Sequence, residues 1–505
     1  MYTHSNVMEM YTAFCLALGL AGYIVALLIY RLWLSPLSGF PGSPFAKTTF
    51  WYEFYYDWVK PGQYYRRIHE MHQIYGPIIR VTPDELHISD PSYYQKLFVT
   101  GGVRKSDAYP GFTRGTGFED FTDMIQAHDP HRFIRAPVQQ FFSRHSIRQI
   151  EPQVVNCIKT LRQRLEDYKD TNKPLNMSYA LLSLATDVVS SAICEEPTNY
   201  LADPDFNGAW FKAQKKGMAA VPLFASLPWP ARALTMQLLL FVSSYIPGLK
   251  ACEQSRQRNF KAVLRPSTVV KETFGSTRRT EAPKLQFGEG IYDRAGQLIQ
   301  QSGIYHMSHT LQAIITHLAL DGKKCQALRN ELGTILEHNP ETPPSWQDLE
   351  KLPYLDACIK EGLRMATGAL KRSARVFPDT TVHLKAWTVP EGTPVSMSSY
   401  WMHMDPKVFV DPHKFEPGRW LHPEKNELLA EYFVPFGKGS RDCLGKNLAQ
   451  MQLYHTLMEL YRPGAPDIQL FETDESDVVP AHGYLFPLPS LNSEGVRVLV
   501  HSNHT

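Results

Sequence analysis

Cysteine is scarce in this chain. There are seven in 505 residues, at Cys15, Cys157, Cys194, Cys252, Cys325, Cys358 and Cys443, odd in number and widely scattered. No CxxC pair occurs, so neither a disulfide framework nor a zinc ribbon is indicated, and a reducing compartment fits best. A surplus of either charge is also missing. Lys plus Arg is 52 against 50 Asp plus Glu, a net charge of +2. That excludes a nucleic-acid binder working by bulk charge. Despite 37 prolines and 31 glycines there is no long Pro-rich or Gly/Ser-rich linker and no repeat of fixed period. Solenoid and bead-on-string architectures are therefore excluded. With 43% hydrophobic and 12% aromatic residues the chain can bury a large core, so wholesale disorder is excluded too.

Charge is wholly absent from residues 11–30, YTAFCLALGLAGYIVALLIY. At about 1.5 Å per residue such a helix crosses roughly 30 Å, one hydrocarbon core. No Lys or Arg precedes the run, and it is longer than the apolar region of a cleaved signal peptide. Arg31 and Lys47 follow it, with Pro36, Pro41 and Pro44 between them. The positive flank places the bulk of the protein on the cytosolic side. Residues 1–35 are thus expected to be a membrane anchor and hinge, with residues 36–505 as the catalytic body. The sequons at Asn176 and Asn503 are then expected to stay unmodified.

A second uncharged stretch, 295–320, carries too many Gln, Ser, Thr, Tyr and His residues to face lipid. It reads as a long helix buried through the body, with its polar groups facing something inside. Residues 221–249 are apolar, with Trp229 between two prolines. They form either an ordinary core segment or a lip that dips into the membrane and admits a greasy substrate.

The most informative segment is Phe436-Gly-Lys-Gly-Ser-Arg-Asp-Cys443-Leu-Gly445. Its glycines permit left-handed turns and close backbone approach to a ligand. Cys443 stands just before a helical run, beside Arg441, where a thiol is expected to ionise readily. A lone thiolate shielded by Phe436 suits an axial iron ligand; a structural cysteine in a turn is the alternative.

Phe436, Gly439, Arg441, Cys443 and Gly445 match FxxGxRxCxG, the haem-binding signature of the cytochrome P450 family. Glu361-Gly-Leu-Arg364 resembles that family's ExxR motif, and the loop around Arg419 resembles the one that completes a Glu361–Arg364–Arg419 triad. The resemblance covers almost the whole chain. It implies a mainly α fold with small β-sheets, a cytochrome P450 fold with a long central helix over haem b, and an N-terminal transmembrane anchor. Cys443 is then the iron ligand. Haem contacts are expected from His131, Arg135, Arg375, Phe436, Arg441, Gly445 and Gly303. The triad is expected to hold the cysteine loop in place. His131 and Arg135, at i and i+4, resemble the family's WxxxR pair, with His where Trp is usual.

The central helix departs from the pattern. Where the family commonly has A/G-G-x-D/E-T, this chain has Ser302-Gly303-Ile304-Tyr305-His306. His306 stands in the threonine position, with Thr310 one turn on. Three roles stay open for His306: a proton relay, a pocket wall, or a ligand that alters the chemistry. The resemblance implies a monooxygenase of a lipophilic secondary metabolite, terpenoid or polyketide-like. The segment 128–152 is similar to fungal members of the trichodiene-oxygenase type. Electrons would come from NADPH through a separate NADPH–cytochrome P450 reductase, since the length leaves no room for a fused one. Lys438, Arg441 and Lys446 offer positive charge for docking it. A single-pass endoplasmic reticulum membrane location follows. The alternatives are an oxygen-independent isomerase or dehydratase, and a membrane haem protein without turnover.

Overall fold

The computed structural model describes residues 2–98, 106–109, 111, 125–194, 197–226, 291–338, 343–370, 372–422, 424, 426–484 and 486–502. The Trp229 segment, Cys252 and Asn503 lie outside them.

Helix α1 (Tyr2–Ile29) continues as a wider π turn through Tyr30–Leu34. Its apolar side chains are exposed along the whole described length. Among the described residues this is the one helix long and apolar enough to cross a membrane. Two short helices follow, α2 (Pro44–Thr48) and α3 (Trp51–Phe54), and then α4 (Tyr64–Tyr75). The body is built on α5 (His128–Phe141), α6 (Glu151–Tyr168), α7 (Met177–Ile193), α8 (Gly208–Ser226), α9 (Ile291–Leu320), α10 (Pro353–Ala366) and α11 (Lys446–Tyr461). The fold is therefore mainly α with small sheets. The largest sheet takes β1 (Ile78–Arg80), β2 (Leu86–Ile88), β3 (Asp107–Ala108), β4 (Arg375–Val376) and β5 (Pro394–Ser396) in the order β1-β2-β5-β4-β3. A three-stranded sheet joins Leu175–Asn176, Arg497–His501 and Asp467–Leu470.

Helix α9, 30 residues and so about 45 Å long, is the spine. Leu311, Ala313, Ile314, Ile315 and Leu318 are buried against α7 and α10. The crossing with α10 depends on Gly362. A Cβ there would lie 2.2 Å from Cγ1 of Ile314, closer than any side chain tolerates. Two polar side chains of α9, Ser308 and Gln312, serve helix packing. Gln312 donates to Ser308 Oγ (2.7 Å) and accepts from Ser178 of α7 (2.5 Å). Ser178 Oγ in turn accepts from the Val496 amide at 2.8 Å. The Asn176 carboxamide caps α7, accepting from Tyr179 N at 3.0 Å.

Candidate haem-thiolate site

The cysteine loop is folded by its own backbone. Gly437 and Gly439 adopt φ of +67° and +86°, a conformation that only glycine takes without strain. Gly437 N donates to Val434 O (3.1 Å), and Cys443 N donates to Phe436 O (2.8 Å). Gly445 is the N-cap of α11, so Cys443 sits three residues before the first residue of a 16-residue helix. The helix dipole favours an anion there. Cys443 is exposed, whereas Cys194 and Cys358 are buried and Cys157 and Cys325 half-buried. Burial raises the Cys325 thiol, pushes Cys157 up to about 11 and Cys194 to about 12, and pushes Cys358 further still. Of these five, only Cys443 is placed to act as a ligand.

Behind the loop, Glu361 and Arg364 on α10 are fully buried. Arg364 grips the carboxylate through Nε (2.9 Å) and Nη2 (2.8 Å), and Arg419 Nε adds a third bond at 3.1 Å. Trp420 Nε1 and the Glu416 amide complete the shell, each at 2.9 Å. Burial alone would raise the Glu361 pKa. The two guanidiniums outweigh it and hold the carboxyl below its ordinary value. Arg364 Nη1 also donates to His403 O (3.0 Å) and Pro412 O (2.7 Å), which fixes the 403–420 segment to α10.

His403 extends this network to the cysteine loop. Its Nε2 accepts from the Val434 amide at 2.9 Å, so Nδ1 carries the proton and faces Thr367 Oγ1 at 3.1 Å. The Thr367 hydroxyl donates to Arg364 O at 2.9 Å. Burial, with Arg364 beside it, lowers the His403 pKa to about 3 and keeps the ring neutral. The sequence motifs mark the triad but neither His403 nor Trp420.

Several expected haem contacts gather on the other side. Arg375 is buried, with Nη1 donating to Ser373 Oγ at 3.2 Å and its guanidinium over Phe98. Burial, and then the like charge of Arg441, lower its pKa to about 10. Among the described residues no carboxylate pairs with Arg375. Arg375, buried and within reach of the charge of Arg441, suits a ligand carrying acidic groups, as haem does, and the open cysteine before its helix fits the same cofactor. His131 and Arg135 are both buried on α5. Arg135 Nη2 bonds Asp442, at 2.5 Å to its carbonyl and 2.8 Å to Oδ1, which ties α5 to the residue next to Cys443. Lys446 also reaches Asp442, at 3.1 Å. The role of Asp442 was not legible in the sequence.

Two expected site residues also have structural uses. A Cβ on Gly303 would meet Val189 Cγ2 at 3.0 Å, so this glycine lets α9 approach α7 and is a packing residue. Thr310 donates its hydroxyl to His306 O in its own helix (2.9 Å), and its methyl faces Gly362 of α10. Its hydroxyl proton is therefore taken by the helix backbone.

His306 and Tyr305 form a wall with Phe486, Tyr305 stacked at 5.4 Å and His306 edge-on at 4.7 Å. Tyr305 Oη donates to Gln214 of α8 at 3.1 Å. The His306 ring lies against Gly368, in the loop after α10. The ring keeps part of its surface open, but Nε2 is sealed and has no hydrogen-bond partner among the described residues. Burial lowers its pKa to about 4. The same loop reaches Arg372, which lines a cavity of about 300 Å³ with Phe50, Trp51, Phe54, Tyr109 and Pro222.

The cytochrome P450 family model matches residues 41–256 and 302–462. The chain is 38% identical to the cytochrome P450 monooxygenase oblB of Cochliobolus heterostrophus, over 95% of this chain and 94% of that protein. It is 35% identical to a fusicoccadiene C-8 hydroxylase of Phomopsis amygdali, over 94% and 93%. It is 34% identical to a stellatic acid synthase of Emericella variicolor, over 95% and 93%.

Proposed function

The chain belongs to the cytochrome P450 family, a family of haem-thiolate monooxygenases, and from that premise we propose that Cys443 is the axial ligand of an enzyme oxidising a lipophilic terpenoid. When bound, haem with an axial thiolate supplies the oxygen-activating chemistry, the sulfur pushing electron density that favours O–O cleavage. The residues of this chain do the rest. Cys443 provides the thiolate, held by the loop hydrogen bonds and the α11 dipole. Arg375 and Arg441, with His131 and Arg135 on α5, would hold the acidic groups of the cofactor. Glu361, Arg364, Arg419 and His403 keep the loop in register with α10. Tyr305, His306 and Phe486 wall the substrate side and exclude water from it. A relative named for hydroxylating a diene supports a hydrocarbon-like substrate. The family draws on a redox partner and takes hydrophobic substrates. The partner proposed here is NADPH–cytochrome P450 reductase, with both proteins on the endoplasmic reticulum membrane and this one anchored there through α1.

The observation that carries this reading is the exposed Cys443 at the end of its glycine loop. Cys443→Ala protein should lose the reduced carbon-monoxide band of thiolate-ligated haem. A variant that keeps that band overturns the ligand assignment. NADPH and oxygen consumption by the wild type with reductase present separates a monooxygenase from an oxygen-independent isomerase.

A further inference from the structure

The cavity of about 300 Å³ beside Arg372 has an apolar wall and a polar one. Phe50, Trp51, Phe54 and Pro222 make the first. The second holds Glu85, just before β2, and Tyr109, just after β3. Arg372 is the one cation among the described lining residues, against the carboxylates of Glu53, Asp57 and Glu85. It donates to both oxygens of Glu53 (3.0 and 2.8 Å) and, through Nε, to one oxygen of Glu85 (2.7 Å). Glu85 is 2% exposed, yet its donors are crowded on one side. Arg372 and the Ser396 hydroxyl (2.6 Å) both reach Oε1. Among the described residues nothing donates to Oε2, and that oxygen is not sealed over. A buried carboxylate oxygen is normally paired, because leaving it bare forfeits its hydration. Burial raises the Glu85 pKa, while Arg372 works to keep the group charged. Tyr109 is in the same position with the opposite polarity. Its amide is tied to Ala374 O at 3.1 Å, but its hydroxyl has no partner among the described residues. Burial, and then the charge of Glu85, push its pKa up to about 12, so it stays a donor.

We propose that Glu85 and Tyr109 form a subsite for one hydroxyl group of the substrate, so that the enzyme acts on a terpenoid alcohol whose hydrocarbon body lies against the apolar wall. An alcohol both donates and accepts, so it can donate to Glu85 Oε2 and accept from Tyr109 Oη. Other groups satisfy only half of the pair. A ketone or an ether accepts from Tyr109 and leaves Glu85 bare. An ammonium donates to Glu85 and leaves Tyr109 without an acceptor. A carboxylate meets the negative surplus of the wall. A plain hydrocarbon strands both groups, which is how a site built for a hydroxyl rejects the analogue lacking it. The subsite shares a loop with the His306 wall. Arg372 follows Gly368, which touches the His306 ring, by four residues, at most about 14 Å of chain. The reaction that supplies the substrate must then leave a hydroxyl on it. A cyclisation that ends with capture of water, or an earlier hydroxylation, meets that requirement.

The inference rests on the terpenoid-oxidising reading for the substrate class, and the test keeps the two apart. The probes are 1-adamantanol and 1-methyladamantane, cages of nearly one size that differ by hydroxyl against methyl. Full-length enzyme in phosphatidylcholine nanodiscs is dialysed to equilibrium against empty nanodiscs, and each probe is measured by gas chromatography. The quantity read is the ratio of the two affinities. A purely structural change weakens both probes alike and leaves that ratio where it was. The proposal expects Tyr109→Phe to lower the alcohol-to-hydrocarbon ratio about three- to tenfold, the worth of one neutral hydrogen bond. Glu85→Gln, which trades a charged acceptor for a neutral one, should lower it by about as much. If Glu85→Gln fails to fold, Tyr109→Phe decides. An unchanged ratio in either folded variant, or a wild type that binds neither probe, overturns the proposal. The carbon-monoxide band of the same wild-type sample reports on haem ligation separately, so a missing band removes the monooxygenase reading while the ratio still judges the subsite.

Discussion

At His306, expected from the sequence to stand in the family's threonine position, burial holds the imidazole neutral, with a pKa of about 4. Near neutral pH this ring carries no surplus proton to donate, and its Nε2 is sealed. A wall role predicts that His306→Phe keeps product formed per NADPH consumed within a few-fold of wild type. Loss of a general acid typically costs about 10²–10⁴-fold, with matching peroxide release, so the coupling ratio decides between the two. Glu361 is the opposite kind of residue, a carboxylate that everything nearby needs charged. Glu361→Gln leaves Arg364 buried without its counter-charge, and breaking such a pair costs about 3–5 kcal/mol. The expected result is protein that loses haem during purification, read as the ratio of Soret to protein absorbance. The residues read most directly from sequence were those whose chemistry is local. The cysteine signature lies within ten residues, and ExxR within one helical turn. His403 and the role of Asp442 were hidden because each acts on a partner far along the chain and no motif marks the pairing. Arg135 and Asp442, for example, are 307 positions apart.

Among the elements, the crossing of α9 and α10 is the tightest contact on the spine. Gly362→Ala forces a methyl onto Ile314 and should lower stability by about 1–3 kcal/mol, the usual cost of overpacking. Thermal unfolding reads this directly. Adding Ile314→Ala should recover part of the loss, because the clash is with that one side chain. Helices α9, α10 and α11 were legible from the sequence because they are long and bounded by clear breaks. The purpose of the polar residues on α9 was not. Gln312 bonds to α7, and the Thr310 hydroxyl donates to its own helix backbone. The short strands were also beyond sequence reading. A strand of three residues carries little pattern, and β2 pairs with β5 across some three hundred residues.

For the whole molecule, histidine protonation dominates the response to acid. His69, His72, His87, His306, His309, His317, His403 and His455 all have pKa values lowered chiefly by burial. In the unfolded chain each binds a proton near pH 6.5, and in the fold only at lower pH. Stability is therefore full above about pH 6.5 and falls as pH drops toward 4, by up to about 1.4 kcal/mol per unit for each ring still neutral. Glu85, Asp187 and Glu459, raised by burial, oppose this, but they are fewer. Denaturant unfolding should show a steep loss of stability between about pH 6.5 and 5, well above the range where Glu361 titrates. A flat profile over that interval would mean that these rings titrate freely in the fold.

The shell around Glu361 also has a consequence in time. The carboxylate sits at position 361, and its partners at 416, 419 and 420 come later in the chain, as does Cys443 at the end of the loop they support. During synthesis α1, the proposed anchor, is made long before these partners exist. While only α10 is complete, its carboxylate lacks three of its five donors. The support for the cysteine loop is therefore finished only once residues 416–420 have been made.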